Sequence, residues 1–292
     1  MQTECLLICP FPHICTAVIL EALIWIFFGL LGGLMGGLLG IGGGLVFALV
    51  LPFGLTQLGI SGPFLVSYTI ANSLFATFFT TLSANFFQWK EVLLFRRQIL
   101  VVGFFASVST LLLLHFFVNS GWYSRRLFES VFSLILAYMM FRLFWKIRSG
   151  SIGDSVQEAG RFRWGLLSIS GLFSGMVSPL TGMGGGIVLV PVLHTMLRYS
   201  LPAARSISLG VITISSFVSS LLSIFSDEIE TFSKSTLGFL VIPLAFPLAI
   251  GGMVGSYLGL KIAKQTSVFW TTFLFGIFLF LSFVLLQFRL IF

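Results

Sequence analysis

GLLGIGGGLVFALVLP, residues 37–52, sets five glycines within eight residues of an otherwise apolar run. Each glycine inside a helix costs on the order of 1 kcal/mol relative to alanine, so a plain membrane-spanning helix has no use for them. The chain makes the same choice again in TGMGGGIVLVPVL, residues 181–193. How these two stretches are read decides the fold.

Around them the chain has the composition of a membrane protein. Its 292 residues are 57% hydrophobic and 9% charged, with a mean hydropathy of +1.08; a soluble domain carries about 25% charged residues. Runs such as 206–225 and 268–288 are long enough to cross ~30 Å of hydrocarbon as helices. No alternating pattern suggests a β-barrel, and lipid tolerates little besides barrels and helices. The expected class is therefore an all-α polytopic protein of the lipid bilayer. The formal charge of +7 reads as basic loops anchoring the cytoplasmic face, and no nucleic-acid partner is expected. Cys5, Cys9 and Cys15 form no CxxC pair and, with His13, no zinc set; they read as free thiols or acylation sites. No basic region precedes the first apolar stretch, so no cleaved signal peptide is expected.

The polar stretch 146–163, KIRSGSIGDSVQEAGRFR, reads as a linker between a first membrane repeat, 1–145, and a second, 164–292. The repeats are related in sequence. Residues 29–51 lie over 171–193 with eleven of 23 positions identical, and Gly40, Gly42, Gly43 and Gly44 fall on Gly182, Gly184, Gly185 and Gly186. Further on, Ser73-Leu74 aligns with Ser208-Leu209. Internal symmetry of this kind is common in transporters. Each half holds a glycine-interrupted segment (17–52 and 165–197) followed by three further spans: 64–84, 99–118 and 127–145, then 206–225, 237–260 and 268–288.

The charges choose how these segments run. If each glycine segment folds back, as a hairpin or re-entrant loop, twelve of the sixteen Lys and Arg residues share one side. Arg125, Arg126, Lys234 and Arg289 are then left opposite, beside Asp227, Glu228 and Glu230. If each segment crosses once, the split is ten to six. The positive-inside rule favours the fold-back. Each half then has an odd number of crossings, the halves are inverted, and both termini face outside.

A fold-back needs backbone angles that glycine reaches cheaply, and it exposes amides that a continuous helix would use. Helices starting near Gly44 and Gly186 would point those amides inward as ready-made anion sites. The four-residue spacings Gly29-Gly33-Gly37 and Gly251-Gly255-Gly259 read instead as close helix packing, and such faces permit a homodimer.

The doubled G-x-GGG motif followed by an apolar stretch and proline resembles the sulfite exporter TauE/SafE family. GMGGGIVLVPVL is the closer copy; the first has Leu49 where the second has Pro191, with a proline only at Pro52. ARSISLG (204–210) resembles the stretch that follows the loop in that family, and ANSL (71–74) is a looser version. The resemblance implies a secondary carrier, commonly an exporter, of small sulfur-containing anions such as sulfite or sulfonates.

Candidate substrate-binding residues are Gly42, Gly43, Gly44, Gly184, Gly185 and Gly186, with Asn72, Ser73 and Ser208 at the starts of the following spans. Ser178 and Thr181, just before the second glycine run, join them. Thr77, Thr80, Thr81, Thr213, Ser215 and their neighbours read as hydroxyls that satisfy helix backbone. Arg205 reads as a topology anchor, Glu21 and Glu129 as interfacial, and His115 and His194 as structural. No intramembrane catalytic constellation, metal set, ATP-binding loop or cofactor motif is evident. The functional classes rank as carrier, channel, scaffold and enzyme.

Overall fold

The computed structural model describes residues 12–60, 62, 64–118, 125–148, 164–225 and 236–266, and beyond them 273, 276–277, 280–284 and 287. Cys5, Cys9, Asp227, Glu228, Glu230, linker residues 149–163 and both chain ends lie outside the described residues, as does most of the span expected at 268–288. The helices run α1 (Pro12–Leu39), α2 (Gly44–Gln57), α3 (Phe64–Phe87), α4 (Trp89–Leu94), α5 (Arg96–Leu113, continued by a π-helical turn Leu114–Val118), α6 (Arg125–Arg148), α7 (Trp164–Thr181), α8 (Gly186–Thr195), α9 (Leu201–Ile224) and α10 (Ile242–Gln265). Between α9 and α10 a short antiparallel ladder joins β1 (Thr236–Leu237) to β2 (Leu240–Val241). Among the described residues, five helical stretches are long and apolar enough to cross a membrane: Ile19–Leu39, Phe64–Phe87, Arg96–Phe116, Leu201–Ile224 and Ile242–Gln265.

At the first glycine run the chain reverses. Gly36 lies against Gly43, Gly32 against Phe47, and Gly54 against Trp25. Partners that separate in sequence from both sides of a turn mark an antiparallel hairpin; a continuous helix would hold Trp25 and Gly54 roughly 43 Å apart. The second run does the same. Ser174 Oγ donates to the carbonyl of Gly185 at 3.1 Å, across a distance that a straight helix would make roughly 16 Å.

The elements pack in matching pairs. α1 lies along α10 and α7 along α5, while α2 packs on α3 as α8 does on α9; α10 meets α3 as α5 meets α9, and α3 and α9 face each other. Glycine makes the tightest of these contacts possible. Gly29, Gly33 and Gly37 rest on the backbone of Leu248, Gly252 and Ser256, and Gly251, Gly255 and Gly259 on that of Ile26, Leu30 and Leu34. The numbers rise together, so α1 and α10 are parallel. Gly171 and Gly175 rest likewise on Val102 and Ala106, so α7 and α5 are parallel too. The glycine faces that permitted a homodimer in sequence are thus occupied within the chain. α3 and α9 are antiparallel, as Phe78 meets Phe217 with ring centroids 5.3 Å apart, Thr213 bonds Thr81 at 2.9 Å and Ser206 bonds Gln88 at 3.2 Å.

Element boundaries and the setting of one residue differ from the sequence expectation. The span placed at 237–260 begins at Ile242, because Gly238 at φ 55° turns the β1–β2 ladder and a proline opens the helix only after it. α6 continues to Arg148, taking the first three residues of the expected linker. Glu129, expected at the interface, is buried inside the protein.

Candidate anion site at the glycine breaks

The two breaks use glycine in the same register. Gly40, Gly42 and Gly43 have φ of 79°, 82° and 79°, and Gly182, Gly184 and Gly185 have 69°, 75° and 75°. This left-handed region is costly for any residue with a Cβ. Gly43 and Gly185 then cap α2 and α8, and the third glycine of each run is the first helical residue. What keeps that third position small is the opposite loop. A Cβ on Gly44 would stand 2.7 Å from Met183 Cα, and one on Gly186 would stand 3.0 Å from Ile41 Cα. The breaks of the two halves therefore meet backbone to backbone.

Both helices start at this meeting point. The Gly43 carbonyl accepts from Val46 and Phe47, and the Gly185 carbonyl from Val188 and Leu189. The amides of Gly44, Leu45, Gly186 and Ile187 precede the first possible acceptor within their own helices. Two helix N-termini, each with partial positive charge, thus lie side by side.

Two serines clamp the breaks reciprocally. Ser73 Oγ, on α3, donates to the carbonyl of Gly182 at 2.7 Å and lies 3.3 Å from that of Gly44. Ser208 Oγ, on α9, donates to the carbonyl of Gly40 at 2.9 Å. Each serine belongs to one half and holds the loop of the other. A hydroxyl has one proton, so neither serine can donate to an anion while it holds a loop. Asn72 is turned elsewhere: its amide donates to Tyr68 and Phe239 and accepts from Val241 N at 2.9 Å, which fastens the β1–β2 turn to α3. Thr181 Oγ1 donates to Val177 and accepts from Met183 N at 3.3 Å, bracing the second loop.

Ser178 and Thr77 behave differently. Both are fully buried, and neither hydroxyl has a hydrogen-bond partner among the described residues. Thr69, Thr80 and Thr81 on the same helix each donate to the carbonyl four residues back; Thr77 does not. Leaving a buried hydroxyl unpaired costs about 1–3 kcal/mol. The Thr77 side chain lies between the breaks, its methyl 3.0 Å from where a Cβ on Gly42 would sit and 3.2 Å from one on Gly184. The sequence pattern groups Thr77 with the backbone-satisfying hydroxyls, and the structure separates it from them. The signal that could have separated it is its alignment with Ile212, a polar residue matched to an apolar one.

Beyond the breaks, Thr81, Thr213, Asn85, Gln88 and Ser206 form one hydrogen-bonded chain along the α3–α9 seam, with Gln88 Nε2 donating to Asn85 Oδ1 at 3.5 Å. Arg205 lays its side chain against Gly40 and has no carboxylate partner among the described residues. His194 Nδ1 shares a hydrogen bond with the Tyr199 carbonyl at 2.9 Å, the structural role expected of it.

Residues 25–286 match the family described as sulfite exporter TauE/SafE. A probable membrane transporter protein of Methanocaldococcus jannaschii is 28% identical over 235 residues, covering 78% of this chain and 81% of that protein. No solved structure matches. With the family match running through both glycine breaks and the helices that clamp them, the chain belongs to the sulfite exporter TauE/SafE family of membrane transporters.

Proposed function

We propose that the protein is a secondary transporter that exports small sulfur-containing anions, such as sulfite or organosulfonates, across the cell (inner or plasma) membrane. The substrate site is formed by the amides around Gly42, Gly43, Gly44, Gly184, Gly185 and Gly186, with the Ser178 hydroxyl beside them. Ser73 and Ser208 fix the loops that present those amides. The observation that carries this reading is the contact of two helix-starting glycine breaks from different halves, since helix N-termini bind anions and such discontinuous helices form many transporter sites.

The helix directions support an inverted repeat. Fold-back at both breaks requires α1 parallel to α10, α5 parallel to α7, and α3 antiparallel to α9, and the contacts run in those directions. Single crossings would make α3 and α9 parallel. On this reading the access path to the cytoplasm follows the polar α3–α9 seam past Arg205, and both termini face outside.

Flux in proteoliposomes tests the proposal. Saturable sulfite or methanesulfonate uptake, accelerated by anion loaded on the opposite side, is the expected result. Unitary currents in a bilayer would replace the carrier with a channel. Absence of any anion flux would leave a membrane scaffold.

A further inference from the structure

The two-fold pattern of the site is broken at one place. Ser73 and Ser208 match in sequence and in role, each holding the opposite loop. Four residues further along the same helices the match fails, with Thr77 on α3 and Ile212 on α9. Both side chains are fully buried, and both lie against both breaks. A Cβ on Gly42 would stand 3.0 Å from Thr77 Cγ2 and 3.2 Å from Ile212 Cγ2; one on Gly184 would stand 2.7 Å from Ile212 Cγ2 and 3.2 Å from Thr77 Cγ2. Ile212 reaches further than threonine can. Its Cδ1 packs against Gly186, the first residue of α8, whereas the atoms nearest the matching Gly44 belong to Met183 and Gly182.

The two helix N-termini are therefore not equivalent. The start of α8 has a branched apolar side chain over it. The start of α2, a helix of 14 residues, has a threonine nearby whose buried hydroxyl has no partner among the described residues. An oxyanion accepting from that hydroxyl would form a charge-assisted bond, the stronger kind. An anionic face turned toward Ile212 would instead lose its hydration without replacement.

We infer that the site holds an oxyanion in one orientation, its charged head on Thr77 Oγ1 and the amides that begin α2, and the rest of the molecule against Ile212. Ile212 thereby selects anions that carry one apolar substituent over those that present oxygens or lone pairs on every side. This inference rests on the transport reading above and names the residues that give it specificity.

The test compares radiolabelled sulfite, methanesulfonate and ethanesulfonate uptake by the full chain in proteoliposomes, for the wild type, Ile212→Thr, Thr77→Val and Thr77→Ser. The wild type prefers ethanesulfonate to sulfite by on the order of tenfold in Vmax/KM, the scale of one added apolar contact. Ile212→Thr, which restores the two-fold pattern, brings that ratio toward one. Thr77→Val lowers uptake of all three substrates by on the order of tenfold or more, and Thr77→Ser recovers part of the loss. Thermal unfolding in detergent separates binding from folding, because Thr77→Val removes an unpaired hydroxyl and leaves the midpoint unchanged or raised. A wild type that favours sulfite, a ratio unmoved by Ile212→Thr, or full uptake by Thr77→Val overturns the inference alone. No uptake of any of the three by the wild type removes the transport reading and this one with it.

Discussion

Gly182 and Gly185 share the left-handed backbone, with φ of 69° and 75°, yet a methyl group added to each meets different surroundings. At Gly182 the nearest atoms are 3.5 and 3.6 Å away, on Ser73, Ala48 and Ile70. At Gly185 the methyl would enter the backbone carbonyl and hydroxyl of Ser174. Gly182→Ala is expected to lose about 1–2 kcal/mol, the cost of the backbone conformation, and Gly185→Ala to lose more, because overlap adds to it. Unfolding midpoints in detergent check the order; equal losses would mean that close approach at Gly185 is not what requires glycine. The repeated glycine run was legible in the sequence because nothing else explains three consecutive glycines in a membrane span. The partners of Asn72, and the lack of one for the Thr77 hydroxyl among the described residues, were not. Asn72 bonds across 167 residues to Phe239, and no spacing within α3 reveals which distant carbonyl will be near.

At the scale of elements, α7 shows how a broken helix is joined to its neighbour. Pro179 lies inside α7 and has no N–H, so the carbonyl of Gly175, four residues before it, loses its helical donor. Thr110 of α5 supplies the replacement, donating to that carbonyl at 2.9 Å. Thr110→Val should therefore destabilise the protein by about 1–3 kcal/mol, the cost of an unpaired buried carbonyl. In a Pro179→Ala background the helix can satisfy Gly175 itself, so the same substitution should cost less. A double-mutant cycle on unfolding free energy measures this coupling, and strictly additive effects would sink the account. The glycine breaks and the helix starts at Gly44 and Gly186 could be read from sequence. The seating of α7 on α5 could not, since only one of the two helices contributes glycine there; Val102 and Ala106 on α5 carry no such mark.

Across the whole molecule, the ion pair between Lys264 and Glu91, 3.5 Å apart, brings the end of α10 to the start of α4. Exposed pairs of this kind add little stability, but this one fixes which ends are together. Fold-back topology puts both on the cytoplasmic face, with the Gln57 end of α2 and Leu237 of the β-turn on the other. Single cysteines at Lys90 and Lys264 should react with an impermeant maleimide from one side of the membrane, and those at Gln57 and Leu237 from the other, after the native cysteines are replaced. Labelling of Gln57→Cys and Leu237→Cys from opposite sides would overturn the inverted arrangement. The positive-inside pattern had already favoured it from sequence, because twelve basic residues on one face is a global property that survives small errors in each span.

The crossed seating of α1 on α10 and of α7 on α5 also bears on ancestry. The first arm of each hairpin sits on a helix of the other half, so a single repeat made alone would leave its glycine-lined seats empty in lipid. Such a polypeptide closes them only by embracing a second copy inserted upside down. On the inverted reading proposed above, a gene that arose by duplication had a precursor that entered the membrane in both orientations at once, and fusing two copies fixed the orientations that had once been left to chance.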